Sequence, residues 1–391
     1  MKNIFRMLLL FIFIFTLCSC SLGGYPVNGT KPVEKVHEKN VKQDTGKLKI
    51  TEKAPLPIVE KKQVDAANKP MALYRGPIEH IFFHPLVVYP QLAFDGDRLA
   101  KGYNDWFVTV NEFNKIIQSL YQRNYILVKM SDLFEERDSN GKKQLIKKEL
   151  KLPIGKKPLI ISVDDINYYP YMLENGNAYK LIIDQRGKIA TYSKDPNGKE
   201  VVSEDNEIVP ILNQFIRIHP DFSLNGAKGI LALTGYEGVL GYRTNNIASP
   251  NYKQEKEGAL KVITKLKADG WEFASHGYGH LNTKTISLNR LKEDTNRWLK
   301  EVEPLIGQTK IYIYPFGSSV LPKDPKFKLL EGQGFNVFCS VGPNPYLSFT
   351  NEYAMMDRVH IDGIALETQK RIVNRFFDSS TILDQARFAH K

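Results

Sequence analysis

Two carboxylates, Asp164 and Asp165, stand side by side at the end of an apolar run in the segment LIISVDDIN. The run, Leu159 to Val163, has the length and β-branched content of a buried strand. In parallel α/β folds such strand ends carry chemistry, because their side chains line the mouth of the sheet. Adjacent carboxylates repel, and a cation or a shared proton offsets the cost of placing them together. A solvated turn, where Asp is common, is the competing reading of this stretch alone. A second constellation follows the strand-like WEFAS, namely Ser275-His276-Gly277-Tyr278-Gly279-His280. Two imidazoles four residues apart can converge on one metal ion, and the glycines between them argue for a loop or an opening turn. A third group, Tyr314-Pro315-Phe316-Gly317, ends the strand-like stretch 310–314. A Pro–aromatic–Gly turn turns backbone N–H groups outward, either as an oxyanion site or as a plain turn.

The elements that must hold these groups read as strands and helices in alternation. Residues 78–89, IEHIFFHPLVVY, read as a first buried strand with its loop and contain His80 and His84. Phe113, Ile116, Ile117 and Leu120 recur at helical spacing over 110–123, and 126–129 reads as a strand. Residues 142–151 read as a charged helix or loop leading into the Asp-Asp strand. Helices are expected over 207–218, 255–269, 288–305, 327–332 and 367–377, with strands over 229–234, 271–275, 336–341 and 357–361. Residues 177–204 interrupt the alternation with two turns, QRGK and DPNGK, and read as a β-hairpin or small meander inserted beside the Asp-Asp loop. That insertion is either bare structure or a wall of the cleft. The Gly-x-x-Gly-x-x-Gly of 235–241 is a weak phosphate signal, since no helix starts straight after it. The alternation as a whole predicts an α/β fold with a parallel sheet or barrel.

The 391 residues suffice for one large domain or two ordinary ones, and 42% apolar content suffices for a core. The net charge of +11 is scattered Lys without an Arg-rich block or a nucleic-acid motif. It points to anionic surfaces, such as a bacterial envelope with its anionic polymers, and away from nucleic acid. Lys2 and Arg6 precede an apolar run, Met7 to Leu17, too short for a comfortable membrane span and shaped like an export signal. Its end, Leu17-Cys18-Ser19-Cys20, resembles the lipobox of bacterial lipoproteins. The resemblance implies a signal peptide over 1–19 and a lipid-bearing Cys20 as first mature residue, on the outer face of the cell membrane. An ordinary cleaved signal peptide is the alternative. Residues 20–70 are Lys-, Glu-, Pro- and Val-rich and read as a flexible tether, with the folded domain over 71–391 and its insertion at about 175–206. Cys339 is then the one thiol of the body, so no internal disulfide forms there.

Taken in order, SVDD, SHGYGH and YPFG resemble the polysaccharide deacetylases, the NodB-homology group of family 4 carbohydrate esterases, with motifs of the T-F-D-D, H-[ST]-x-x-H and R-x-x-P-[YF]-G kind. IFFHPL and VNEFNKIIQSLYQRNYILVKMSDLF are similar to segments of extracellular poly-N-acetylglucosamine deacetylases, so the resemblance spans residues 75–375. It implies a distorted (β/α) barrel of about seven repeats with a divalent metal at its carboxyl-end mouth. Asp165, His276 and His280 would be the ligands, a set that suits Zn²⁺, with Co²⁺, Ni²⁺ or Fe²⁺ as alternatives. Asp164 would be the general base, the Phe316 N–H an oxyanion donor, and Tyr314 and Pro315 substrate contacts. His360 is the first candidate for general acid, and His84 the other histidine of the cleft. The implied activity is metal-dependent removal of N-acetyl groups from an N-acetylhexosamine polymer, such as peptidoglycan or an exopolysaccharide, by a monomeric surface enzyme. Three departures bear on it. Ile313 stands where the resemblance expects Arg, no Asp–Trp pair occurs between Cys339 and Met356, and Gly277 replaces a Ser or Thr. They keep a second reading open, a carbohydrate-binding surface lipoprotein on the same scaffold whose catalysis has decayed. A metal-dependent esterase or amidase for another acyl substrate is the third.

Overall fold

A computed structural model describes residues 70–388. The signal peptide, Cys20 and the tether lie outside the described residues. Seven strands form the frame: β1 (Glu79–Phe83), β2 (Lys157–Asp164), β3 (Ile230–Leu233), β4 (Glu272–Ser275), β5 (Ile311–Ile313), β6 (Val337–Val341) and β7 (Ala354–His360). Each pairs in parallel with the next in sequence, and β7 pairs with β1, so the sheet closes into a seven-stranded barrel. The expected distorted (β/α) barrel is therefore what the chain builds. Closure at seven leaves one seam. The edge of β2 is shared between Tyr125–Leu127 at its start and β3 at its end.

Strand alternation sorts side chains into two apolar layers. Ile81, Phe83, Leu159, Ile161, Val163, Leu231 and Leu233 face outward into the core shared with the helices. Ile160, Ile230, Ala232, Ala274, Ile311, Ile313, Val337, Cys339 and Met356 fill the lumen. The lumen cluster also holds Leu133, Phe134 and Leu145, which close the barrel's amino end. Cys339 is fully buried there.

The connecting helices are α1 (Val110–Gln122), α2 (Ile208–Ile218), α3 (Tyr252–Ala268), α4 (Leu288–Glu301), α5 (Pro325–Gly332) and α6 (Gly363–Thr368). In α1 a capping box fixes the start, since Thr109 Oγ1 accepts from Glu112 N–H at 3.1 Å and Glu112 Oε2 accepts from Thr109 N–H at 2.8 Å. Its buried face is Phe113, Ile116, Ile117 and Leu120, each contributing about 1.5–3 kcal/mol by leaving water. Asn124, at φ 64°, turns the chain out of the helix.

Several expectations need correction. Residues 142–151 are mostly strand, with loop at 148–150 alone. Phe134–Ser139 and Lys142–Lys147 pair as an antiparallel hairpin across Asn140-Gly141, both at positive φ. Asn-Gly is the favoured pair for such a tight turn, and the charged strands hid it. The helix expected over 288–305 breaks into α4 and a separate Glu303–Ile306 turn of helix, where Pro304 cannot continue the ladder. The closing helix expected over 367–377 starts earlier, as α6, and is interrupted at Gln369 before Lys370–Val373. The insertion is a three-stranded antiparallel sheet, Lys180–Ile183, Ile189–Lys194 and Glu200–Ser203, which packs on α2 and α3.

Candidate metal centre

Three donors from two strand ends converge. One ligand atom each from Asp165, His276 and His280 lie within 4.8 Å of one another. Alternation explains part of this and backbone strain the rest. Asp164, the last residue of β2, faces the lumen. Its neighbour would point away, but Asp165 adopts φ 57°, in the left-handed region. That turn swings its carboxylate back toward the mouth. His280 and Phe316 have the same unfavourable backbone sign, at φ 51° and 58°. Such positions cost about 1–3 kcal/mol each and persist where surrounding structure holds them.

The donors are poised. His276, one residue past β4, bonds through Nδ1 to the Ile313 carbonyl at 2.8 Å. A carbonyl can only accept, so Nδ1 carries the proton and Nε2 keeps its lone pair. Burial lowers the His276 pKa, which favours that neutral ring. His280 Nε2 lies 3.6 Å from Asp165 Oδ2. The other Asp165 oxygen accepts from Tyr169 OH at 2.6 Å, and the Tyr169 hydroxyl also meets Thr234 Oγ1 at 2.8 Å. Asp294, on α4, clamps the loop between the histidines by accepting from Tyr278 N–H at 2.7 Å and Gly279 N–H at 2.8 Å. A Cβ on Gly277, which sits at φ 65°, would lie 3.1 Å from Asp294 Oδ2. Two imidazoles and one carboxylate fit a divalent cation, with His276 and Asp165 each oriented by a second partner and His280 held by the clamped loop.

Asp164 lies beside the triad, its Oδ2 3.8 Å from His276 Nε2. Arg358, from β7, grips it with both guanidinium ends, Nη1 to Oδ1 at 2.7 Å and Nη2 to Oδ2 at 2.9 Å. Burial alone would raise this carboxyl, but the guanidinium outweighs it and holds the pKa at about 2. Arg358 is fully buried, stacks on Phe82 with its guanidinium carbon 4.1 Å from the ring centre, and also donates to Ser162 Oγ at 3.1 Å. Sequence reasoning found Ile313 in place of an arginine and overlooked Arg358. The signal was there, since Arg358 has the same strand parity as His360, two residues on.

The remaining candidates divide. Phe316 lies at the mouth with its ring 4.4 Å from His280. The turn closes through Gly317 N–H to the Tyr314 carbonyl and Ser318 N–H to the Pro315 carbonyl, and the Phe316 N–H is in neither bond. Pro315 is buried under Gly277. Tyr314 is not a cleft residue. Alternation turns it into the outer core, against Tyr312 and Phe338. His360 is tied at both nitrogens, Nδ1 to Asp362 Oδ2 at 2.7 Å and Nε2 to Gln369 Oε1 at 2.9 Å. Burial works against its charge, yet Asp362 outweighs burial and raises its pKa. It has no ring nitrogen left to face the triad. His84 keeps one ring nitrogen free of such ties, its Nδ1 lying 3.1 Å from the Trp106 carbonyl.

No protein-family profile matches the sequence, and no curated protein matches it. Solved structures do show similarity in chain path. A Streptococcus pyogenes deacetylase, PplD in complex with acetate, aligns over 74% of this chain and 94% of its own, at 15% identity and a TM-score of 0.42. A polysaccharide deacetylase from Bacillus cereus aligns over 77% of this chain and 69% of its own, at 13% identity and a TM-score of 0.43. A Bacillus anthracis pseudoenzyme of carbohydrate esterase family 4 aligns over 43% of this chain and 55% of its own, at 13% identity and a TM-score of 0.25.

Proposed function

We propose that this chain is a metal-dependent hydrolase that removes N-acetyl groups from an N-acetylhexosamine-containing glycan at the cell surface. The observation that carries the reading is the convergence of Asp165, His276 and His280 with Asp164 held ionised beside them. A divalent cation bound by the three ligands, Zn²⁺ by preference, supplies Lewis-acid polarisation of an acyl carbonyl and makes a water more acidic. The side chains do the rest. Asp164 is fixed by Arg358 with its Oδ2 toward the triad and takes the proton of the attacking water. The Phe316 N–H is free of the turn's own bonds, which supports its assignment as the donor to the oxyanion. His84 gives a proton from Nε2 to the departing amine, while its Nδ1–H stays on the Trp106 carbonyl. The carbonyl carbon gains an oxygen, its bond to nitrogen breaks, and acetate and an amine result. This assigns the acid role to His84 rather than His360, whose nitrogens are both engaged. The glycan and the membrane anchor at Cys20 rest on the sequence resemblances above.

The second reading, a carbohydrate-binding protein with decayed catalysis, drew on Ile313. The guanidinium of Arg358 supplies a cation beside Asp164 from β7, two strands along the barrel from Ile313. The purified chain loaded with Zn²⁺ should release acetate from N-acetylglucosamine oligomers or cell-wall glycan, and a chelator should stop it. A protein that carries stoichiometric metal yet releases no acetate from any such glycan supports the decayed reading instead. Asp164→Asn should keep its metal and lose turnover.

A further inference from the structure

Beside Asp165 the chain carries an aromatic run, Tyr168-Tyr169-Pro170-Tyr171, and packed against it a loop bearing Tyr236. Tyr169 is buried and anchored to Asp165 and Thr234. Two other tyrosines pack on its ring: Tyr236 with centroids 5.0 Å apart and planes 22° apart, and Tyr171 at 5.9 Å and 28°. Unlike Tyr169, these two are open to solvent, Tyr171 at 41% exposure and Tyr236 at 37%. Neither is loose. Tyr236 N–H donates to the Tyr278 carbonyl at 3.1 Å, inside the loop that carries the two histidines, and Asn175 Nδ2 donates to the Tyr171 carbonyl at 2.7 Å.

We propose that Tyr171 and Tyr236 form a stacking subsite for the pyranose next to the one that bears the reacting acetamide, so that the site takes a chain of sugars and not a single one. The inference rests on the glycan reading above and specifies how that substrate is held. Three observations lead to this occupant. The faces are aromatic with hydroxyl tips, matching a sugar ring that offers C–H faces and a hydroxyl edge. They are prefixed by the buried Tyr169, so little freedom is lost on binding. And they are continuous with a metal ligand, which fixes the distance between the stacked ring and the reacting carbonyl. Phe316, 65% exposed with its ring 4.4 Å from that of His280, offers a further apolar face at the ligands.

The test is the double variant Tyr171→Ala/Tyr236→Ala with an acetylated glucosamine pentamer. KM should rise by about tenfold, the value for losing roughly one to two stacking contacts, while kcat moves far less. Zinc content and melting temperature monitor folding, and Tyr171→Phe/Tyr236→Phe should recover most of the affinity. An unchanged KM in a double variant that holds its zinc overturns the subsite. Titrating the pentamer into Asp164→Asn by calorimetry, with and without the two alanines, separates this from the hydrolase reading. If the chain proves inactive on glycans, binding that weakens with the alanines still supports the subsite, and binding that does not weaken overturns it.

Discussion

A carboxylate gripped at both oxygens by a guanidinium inside a barrel is costly to strip of that partner. Asp164 and Arg358 are both essentially buried, at 4% and 1% side-chain exposure. Removing one charge leaves the other without its partner in a place water does not reach, a change worth about 3–5 kcal/mol. Arg358→Leu should therefore lower the unfolding free energy by about that amount, read by urea titration. It should also cut kcat by at least about a hundredfold, the scale of a mis-set general base. Arg358→Lys returns the charge without the paired geometry and should fall between the two. Full turnover in Arg358→Leu would show that Asp164 is oriented by something else. In this barrel the cation beside Asp164 comes from β7, through Arg358, and not from the strand that carries Ile313.

At the scale of elements, α4 holds the histidine loop through several side chains, with Glu301 accepting from Tyr278 OH at 2.6 Å and Arg297 lying over the Tyr278 ring, while Asp294 alone takes the loop's backbone. Asp294 accepts two N–H groups of the loop between His276 and His280, and burial raises its carboxyl pKa while those N–H groups pull it down. Asp294→Ala leaves both donors unsatisfied, at about 1–3 kcal/mol each. Zinc affinity should drop by about ten- to a hundredfold, as for other partners behind a ligand, measured by competition with a chromophoric chelator. Unaltered affinity would mean that the loop holds its shape unaided. This coupling was not legible in the sequence, because Asp294 is an ordinary acidic residue in a helix with charged neighbours. The seven strands and the two metal motifs were legible, because apolar runs bounded by turns report burial directly. Asp165 was readable as to identity and not as to direction, since strand alternation points it away and only the positive φ brings it back. The Asn140-Gly141 hairpin was written plainly but masked by Glu, Arg and Lys on both strands. Tyr314 shows the opposite failure. Its place in the chain suggested the cleft, and its strand parity put it in the outer core.

Across the whole barrel, stability and acidity are linked through a residue far along the chain from the metal ligands. Glu207 precedes α2 and is fully buried, accepting from Leu86 N–H at 3.3 Å, Ile208 N–H at 2.7 Å and Tyr168 OH at 3.2 Å. It thereby joins the loop after β1, the Asp-Asp loop and the start of α2. Burial drives its carboxyl up, the three donors pull it back only in part, and the pKa settles at about 8 against an ordinary 4.5. Between those two values the unfolded chain has lost this proton and the folded chain has kept it. Stability must then fall as pH rises through the window, by up to about 1.4 kcal/mol per pH unit, and level off outside it. Asp164 has the opposite sign. Its pKa is depressed to about 2 from an ordinary 3.8, so its contribution is present above that range and lost only in strong acid. The two windows do not overlap. Urea titrations of the metal-free protein at pH 5.5 and 7.5 should show the wild type weakening more than Glu207→Gln, whose amide oxygen still accepts but has no proton to lose. Other groups that titrate in the interval are common to both proteins and cancel in the difference. Equal slopes in the two would mean that Glu207 is ionised in the folded barrel, its charge held by the three donors around it.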